Sequence, residues 1–535
     1  MNILSINFNH DGAAVVLRDG DIAGYVNTER FSRRKKHPGV RGVDVENVIA
    51  QAGLTLADID LVQLVNLNNM DSADVVRLHG STLKETWSQF WVDGTYGKVS
   101  LLEHTLPCWV VPAHLHHAAH TAVAYHFAPF DCGVTFACDP FGADAYFVRG
   151  NEAAAQSPGV RMVAPLVYNY VAERLFGNAL VGAGKLMGLA PYGADAARLA
   201  IDYQGLLALD ATRAFEALVN ATRDSPVEVH ESGVTLNASL AWQAQAFLEY
   251  EMSRTLDLLY ASCTAFGLEP NLCLSGGTAL NSVANQRCFA ASKFRNLYLH
   301  PACGDDGTAI GAALMQWHAV LKNPRKARTN RQAMYSCRTY EHEVEGTLDR
   351  YRDRVLVRRP SDPIGEAAQL LAGGKVVGWF QGPSEIGPRA LGNRSILADP
   401  RSPTMKDHLN RQVKRREAFR PFAPSVLAEH AQRWFGESDS PFMLRVAPVQ
   451  GNAVPAVTHV DGTARFQTVR RADNPRYYDL IERFQRLTDI PMVLNTSFNG
   501  RAEPIVETPQ DALECMLTTG LDAVVFPEAI VVSRA

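Results

Sequence analysis

The sequence predicts an α/β protein of two lobes, and three observations carry that prediction. Apolar runs of strand length alternate with helical stretches along most of the chain. Two of these runs, near residues 271–281 and 297–313, deliver straight into glycine-rich turns before a helix begins. The stretch 322–330 (KNPRKARTN) is polar and basic with no apolar periodicity, and reads as a boundary between lobes. The first domain is therefore placed at residues 1–345 and the second at 346–535.

A chain of 535 residues that is 47% hydrophobic and 20% charged, with a formal net charge of -4, has the balance of a large globular enzyme. That balance argues against nucleic acid or a membrane surface as partner. No run reaches the ~18 apolar residues of a membrane span, and the opening residues lack a basic segment followed by an apolar one. A cytoplasmic location is expected. The nine cysteines include no Cys-x-x-Cys pair, so they are expected as buried thiols, not as disulfides or a zinc site. No internal repeat and no low-complexity tract is legible.

Residues 2–7, 13–17 and 22–27 read as strands, the last two joined by Asp19-Gly20, so the chain opens as a meander. Between the first two, His10-Asp11-Gly12-Ala13-Ala14 is either a phosphate loop, where small residues let backbone N–H groups approach an anion, or a plain tight turn. The run Arg33-Arg34-Lys35-Lys36 is a solvated face or a phosphate clamp. A helix and strand follow over 43–65. Residues 66–108, with Trp87, Phe90, Trp91 and Tyr96, are either core or part of a substrate pocket.

In HHAAH at 116–120, His116 and His120 fall on one face of a helix, a metal-ligand spacing that an ordinary polar face would share. A strand over 133–138 delivers Asp139 into a Pro/Gly turn, where a carboxylate meets a metal or phosphate. Residues 182–193 (GAGKLMGLAPYG) read as a flexible glycine-rich loop or a functional segment holding Lys185. A long helix is expected over 240–266. The strand 271–275 runs into Gly276-Gly277-Thr278-Ala279-Leu280-Asn281, whose glycine pair lets a nucleotide lie against backbone. Asp305, at the end of a strand over 297–300, is the carboxylate that completes a candidate metal set with His116 and His120.

In the second lobe a strand over 375–380 enters QGPSEIGPRALGNRS at 381–395, and KRREAFRPFAPS follows at 414–425. Guanidinium forks match phosphate bidentately, so these arginines suggest a site for a small phosphorylated anion, with surface ion pairing as the plain alternative. A final strand over 492–494 presents Asn495, Ser497 and Asn499, amide and hydroxyl groups suited to a carbonyl or phosphoryl ligand.

Taken together, His10-Asp11-Gly12, Glu29-Arg30-Phe31-Ser32, HHAAH, MGLAPYG at 187–193, GGTALN at 276–281, GDDGTAIGAA at 304–313, EIGPRALGNRSILADP at 385–400, REAFRPFAPS at 416–425 and LNTSFNG at 494–500 resemble the carbamoyltransferase family of nodulation protein NodU and the tobramycin and cephem carbamoyltransferases. The likeness extends over nearly the whole chain. It implies an actin-like (ASKHA) ATPase-type lobe followed by a YrdC-like lobe. It also implies an ATP-dependent O-carbamoyltransferase that makes carbamoyl adenylate from carbamoyl phosphate and ATP with Mg2+, then carbamoylates a small-molecule alcohol. The acceptors of such enzymes are antibiotic scaffolds or nodulation factors.

Carried onto this sequence, the resemblance implies that His116, His120, Asp305 and Asp139 hold iron(II) or another divalent metal. Gly12, Asp139, Gly276, Gly277 and Asn281 would serve the nucleotide. Arg389, Arg394, Lys414, Arg420, Asn495 and Ser497 would serve carbamoyl phosphate and ATP, with Arg389 and Ser497 catalytic. His10 and Lys35 would sit at the transferred carbamoyl group, His10 as a general-base candidate. A homodimer is compatible with the sequence. The hydrogenase-maturation carbamoyltransferases share both lobe types but add an acylphosphatase module and paired Cys-x-x-Cys motifs that this sequence lacks. The alternative from another class is a non-catalytic actin-like ATPase acting as a regulator or chaperone, which would give the second lobe's arginines no purpose.

Overall fold

The computed structural model describes residues 1–66, 76–78, 81–82, 96–156, 160–224, 226–231 and 233–533. Trp87, Phe90 and Trp91, and the side chain of Tyr96, lie outside them. The first lobe is built on two sheets of the same design. In one, strands Asp21–Asn27, Ala13–Arg18, Asn2–Asn7, Leu61–Val65 and His104–Val110 lie side by side in that order, extended by Tyr96–Leu101, Val76–Leu78 and Ser81–Thr82. The first three form the expected antiparallel meander, and the next two pair parallel to it. The turn at Asp19 (φ 47) and Gly20 (φ 87) takes the left-handed conformations that a tight hairpin needs.

The other sheet repeats this arrangement with Glu152–Gln156, Gly142–Arg149, Cys132–Asp139, Asn271–Ser275 and Asn296–Leu299. Again a three-stranded meander is followed by two parallel strands. The order third, second, first, fourth, fifth occurring twice is the doubled topology of the actin-like fold. The first lobe therefore contains an internal repeat of architecture that the sequence does not display. The inner strands Leu61–Val65 and Asn271–Ser275 are buried at every position because helices cover both faces.

Between the sheets lie two helices, His116–Phe127 and Thr308–Leu314, each following the fifth strand of its half. Every residue of Thr308–Leu314 is buried, and its small side chains permit close approach. Gly311 sits so near that a Cβ there would collide with the carbonyl oxygen of Ala119. This crossing brings the histidines of one half to the aspartate of the other.

The second lobe has a mixed eight-stranded sheet in the order Val355–Arg358, Ile530–Ser533, Ala523–Val525, Val377–Phe380, Arg394–Ala398, Met492–Ser497, Ala423–Leu427, Gln467–Val469. Its core starts at Tyr340. The first lobe's core ends at Tyr335 in sequence order but also takes in Ile386, Leu391, Phe419 and Phe442, so the two lobes share buried apolar surface.

Three segments have contacts that their residue types alone do not specify. The basic stretch at 322–330 is docked: Arg325 donates to the carbonyls of Tyr125, Ala128 and Phe130, and its guanidinium lies 4.2 Å from the centre of the Tyr125 ring. The glycine-rich 182–193 is helical, over Ala179–Leu189 and Ala190–Arg198, and its glycines serve packing, Gly193 against Ala238 and Gly188 against Pro421 of the other lobe. Two of the cations after Glu29, Arg30 and Arg33, join the lobes. Arg30 is buried and donates to Gly387 O at 2.8 Å, and Arg33 donates to Ile505 O and Pro504 O at 2.7 and 3.0 Å. Among the described residues, no helix is long and apolar enough to cross a membrane.

Candidate active site

A single cleft of about 1850 Å³ runs between the lobes and is lined by residues of both. On the first-lobe side, one ligand atom each from His116, His120, Asp139 and Asp305 lies within 4.8 Å of the others. His120 Nε2 is 3.3 Å from Asp139 Oδ2 and 3.2 Å from Asp305 Oδ1, and His116 Nε2 is 3.3 Å from Asp139 Oδ2. Asn66 Oδ1 accepts from His116 Nδ1 at 2.8 Å, which leaves Nε2 as the lone-pair nitrogen facing the carboxylates. Burial opposes charge on His120, yet the two carboxylates push it up to about 10. The cluster thus favours a positive charge at its centre. Two imidazoles and two carboxylates suit a borderline or hard divalent cation such as iron(II), zinc or manganese.

Asp139 also reaches the glycine turn, because its Oδ1 accepts the Gly277 N–H. Gly276 adopts φ +82, and a Cβ there would strike the Cys138 backbone, so only glycine lets the turn approach this closely. Gly277 and Asn281 line the cleft. Asn281 caps the helix Ser282–Ala291, accepting from Ala284 N at 3.0 Å.

His10 lies at the other edge of the cluster. Its Nδ1 is 2.8 Å from Asp11 Oδ2 and its Nε2 is 3.4 Å from Asp305 Oδ2. Burial lowers its basicity, but the Asp11 hydrogen bond and the charges of Asp305 and Asp11 raise it further, for a net upward shift. Lys36, not Lys35, makes the direct contact here, with Nζ 2.7 Å from Asp11 Oδ2. Lys35 also lines the cleft but is turned toward the second lobe, where burial first and then Arg420, Lys36 and Arg416 lower its affinity for a proton against the pull of Glu29.

From the second lobe, Arg389, Lys414, Arg416, Arg420, Ser497 and Asn499 line the same cleft. Lys414 Nζ donates to Asn499 Oδ1 at 2.7 Å, and Ser497 Oγ donates to the same oxygen at 2.8 Å. Burial pushes Arg389 down to about 10, with Arg420 adding to the shift. Arg465 stands behind them, held well below an arginine's usual value by burial and by Arg389, Arg416 and Arg420. A guanidinium does not shed its proton at working pH, so the repulsion persists until an anion relieves it. Glu417 is the nearby acid, 2.7 Å from Lys185 and 3.6 Å from Arg420.

Three residues expected in the binding set are placed elsewhere. Arg394 is fully buried, and its guanidinium is consumed by the carbonyls of Gln381, Gly382, Asn393 and Glu507 beneath the Phe380 ring. Asn495 is buried among Ala390, Ser425 and Gln467. Gly12 packs against Gly39, where a Cβ would collide with the carbonyl oxygen. All three shape loops that carry cleft residues and do not face the cleft themselves. Sequence reasoning in turn missed Asn66, Lys36, Arg465 and His117, whose Nε2 is 3.6 Å from Asp139 Oδ2 and whose Nδ1 is 3.1 Å from Asp144 Oδ2. Lys36 was legible only as one register of a basic run, and Arg465, a lone cation in a short strand, carried no signal.

Comparison with known proteins agrees with this two-sided arrangement. The family model described as Carbamoyltransferase N-terminus matches residues 2–314, and Carbamoyltransferase C-terminus matches 368–533. The chain is 34% identical to nodulation protein NolNO of Sinorhizobium fredii over 98% of this chain and 79% of that protein. It is also 29% identical to nodulation protein U of Rhizobium tropici over 93% and 91%. An uncharacterised protein of Synechocystis is 34% identical over 100% of this chain and 97% of its own length. Among solved structures, the activator of the 2-hydroxyisocaproyl-CoA dehydratase from Clostridium difficile with bound ADPNP has a TM-score of 0.35 at 12% identity, covering 62% of this chain and 100% of that one. Both halves of the molecule that meet at the cleft are thus matched by one family, and the chain belongs to the carbamoyltransferases, as a carbamoyl-transferring enzyme related to nodulation proteins U and NolNO.

Proposed function

We propose that this protein activates carbamoyl phosphate with ATP and transfers the carbamoyl group to the hydroxyl of a small-molecule acceptor. One observation carries the reading: a cationic cluster from the second lobe and the His/Asp cluster of the first open onto one continuous cleft. Carbamoyl phosphate and water give carbamate and phosphate. A carbamate oxygen then attacks the α-phosphorus of ATP, forming carbamoyl adenylate and expelling pyrophosphate. The acceptor hydroxyl attacks the carbamoyl carbon, AMP leaves, and the hydroxyl proton passes to a base.

Carbamate is a poor electrophile because nitrogen donation and negative charge quench its carbon, so AMP provides a leaving group. Arg389, Arg416, Arg420 and Lys414 neutralise phosphoryl oxygens where charge develops. Ser497 and Asn499 offer hydrogen bonds to the carbamoyl end. Gly277 and Asn281 provide backbone and amide contacts for the nucleotide. His10, with Nδ1 held by Asp11, presents Nε2 as the proton acceptor. A shared cleft spares the adenylate from water during its passage. His116, His120, Asp139 and Asp305 would hold the divalent metal, iron(II) by family expectation, which when bound supplies Lewis-acid polarisation of phosphate oxygens. Mg2+ accompanies ATP.

The test is nucleotide turnover by the purified protein. AMP and pyrophosphate should form with ATP only when carbamoyl phosphate is present. A protein that releases ADP and phosphate without it would be the actin-like regulator instead, and the proposal would fall.

A further inference from the structure

The cleft has a wall that the chemistry above does not use. Strands Cys132–Asp139 and Gly142–Arg149 are joined by the two-residue turn Pro140-Phe141, immediately after the cluster carboxylate Asp139. Phe141 is 89% exposed, more than any other large apolar side chain among the described residues, and it lines the cleft. It belongs to none of the hydrophobic cores, so its ring contributes nothing to folding. Val111, Pro140 and Pro165 line the cleft with it, and Leu180 and Val181, 47% and 42% exposed, open onto the same space. Exposed apolar side chains such as Phe141, Leu180 and Val181 in a cleft otherwise rich in charge mark a place where an apolar ligand surface is covered.

Charge narrows the choice further. Among the described lining residues, lysines and arginines outnumber carboxylates. The carboxylates Asp11, Asp139 and Asp305 already face Lys36, His10 and the His116/His120 pair. With those three carboxylates engaged and the second-lobe cations assigned to phosphate, the surface left for the acceptor beside them is the apolar one, which suits a neutral alcohol on an apolar frame better than an aminosugar that needs free carboxylates.

We propose that the acceptor is a neutral alcohol carried on an apolar or aromatic scaffold, and that Phe141 receives that scaffold and so determines acceptor specificity. This rests on the carbamoyl-transfer reading above and narrows its substrate class. Covering the Phe141 ring with an apolar face is worth about ten- to a hundredfold in affinity.

The test compares wild type with Phe141→Ser, using 2-(1-naphthyl)ethanol and a polyaminated aminosugar as probes. Carbamoyl-phosphate-dependent AMP release without acceptor, and the KM for ATP, are measured first, and Phe141→Ser should leave both unchanged. Saturation-transfer NMR should then show the naphthyl protons contacting wild type and not Phe141→Ser, with weaker or no transfer to the aminosugar. Where carbamoylated naphthylethanol forms, its kcat/KM should fall about tenfold or more in the variant. Equal naphthyl signals in both proteins, or binding of the aminosugar alone, would overturn the assignment. A raised KM for ATP would make Phe141 a base-stacking residue and would also overturn it. Absence of carbamoyl-phosphate-dependent AMP in wild type would instead refute the underlying function, an outcome the first measurement isolates.

Discussion

Gly311 rests against the carbonyl of Ala119, so the helix carrying His116 and His120 and the helix that follows Asp305 cross at backbone contact. The cluster of imidazoles and carboxylates exists because that crossing has no side chain in it. Gly311→Val should therefore push the helices apart. Overpacking of this kind costs about 1–3 kcal/mol, and the variant should also lose bound divalent metal. Metal analysis of the folded fraction checks it, and full occupancy at wild-type stability would refute the argument.

Asn66 orients His116 from behind, accepting from Nδ1 at 2.8 Å. Losing such an outer partner weakens metal affinity about 10- to 100-fold. Asn66→Ala should show that loss in a competition titration against a chelator while keeping its fold. His120→Ala, which removes one of the four candidate ligands outright, should bind no stoichiometric metal.

Arg389 and Arg394 stand five residues apart and should fail in opposite ways. Arg389 faces the cleft, so Arg389→Ala should lose about 30- to 1000-fold in carbamoyl-phosphate-dependent pyrophosphate release, or about 2–4 kcal/mol, with little change in stability. Arg394 is enclosed by four carbonyls. Arg394→Met strands those acceptors and should lower stability by about 3–5 kcal/mol. Urea unfolding and pyrophosphate release measured side by side decide it, and a stable Arg394→Met with a raised KM for carbamoyl phosphate would return Arg394 to the binding set.

His10 should separate transfer from activation. Its ring lies in the first lobe beside Asp305, so His10→Asn should still release pyrophosphate without acceptor yet form little carbamoylated alcohol. If His10→Asn and Arg389→Ala both abolish pyrophosphate release while folded, the two steps are not divided along the cleft.

Acid should weaken the fold through His300. The ring is fully buried, Nδ1 accepts from Ala302 N at 3.1 Å, and burial lowers its pKa to about 3. The unfolded chain takes up that proton near pH 6.5, so stability is present above that pH and is lost as pH falls toward 3. Between pH 7 and 5 the loss from this residue is about 2 kcal/mol. The urea midpoint of His300→Asn should fall correspondingly less over that interval than that of wild type. An equal fall in both would show that His300 is not the group responsible.

Much of the local structure was legible in the sequence because it follows from short-range rules. The opening meander, the Asp19-Gly20 hairpin, the strand Asn271–Ser275 before its glycine pair and the histidine spacing in HHAAH are all dictated by residues within a turn or two of one another. The same rules left 182–193 undecided between a loop and a functional segment, since glycines that permit close packing of a helix look in one dimension like glycines that loosen a loop. They could not reveal the doubled sheet either, because a topology is repeated by the direction and order of strands, which unrelated side chains satisfy equally well. Tertiary structure alone decided which of several adjacent residues face the cleft: Lys36 on Asp11 with Lys35 toward the arginines, Arg389 half-buried on the cleft wall with Arg394 sealed, and Arg465 recruited from a distant strand. The physical reason is that a side chain's role here is set by which carbonyls and charges lie within about 3 Å of its tip, and those neighbours come from segments up to some hundreds of residues away, brought together only when the two halves of the first lobe cross and the second lobe closes over them.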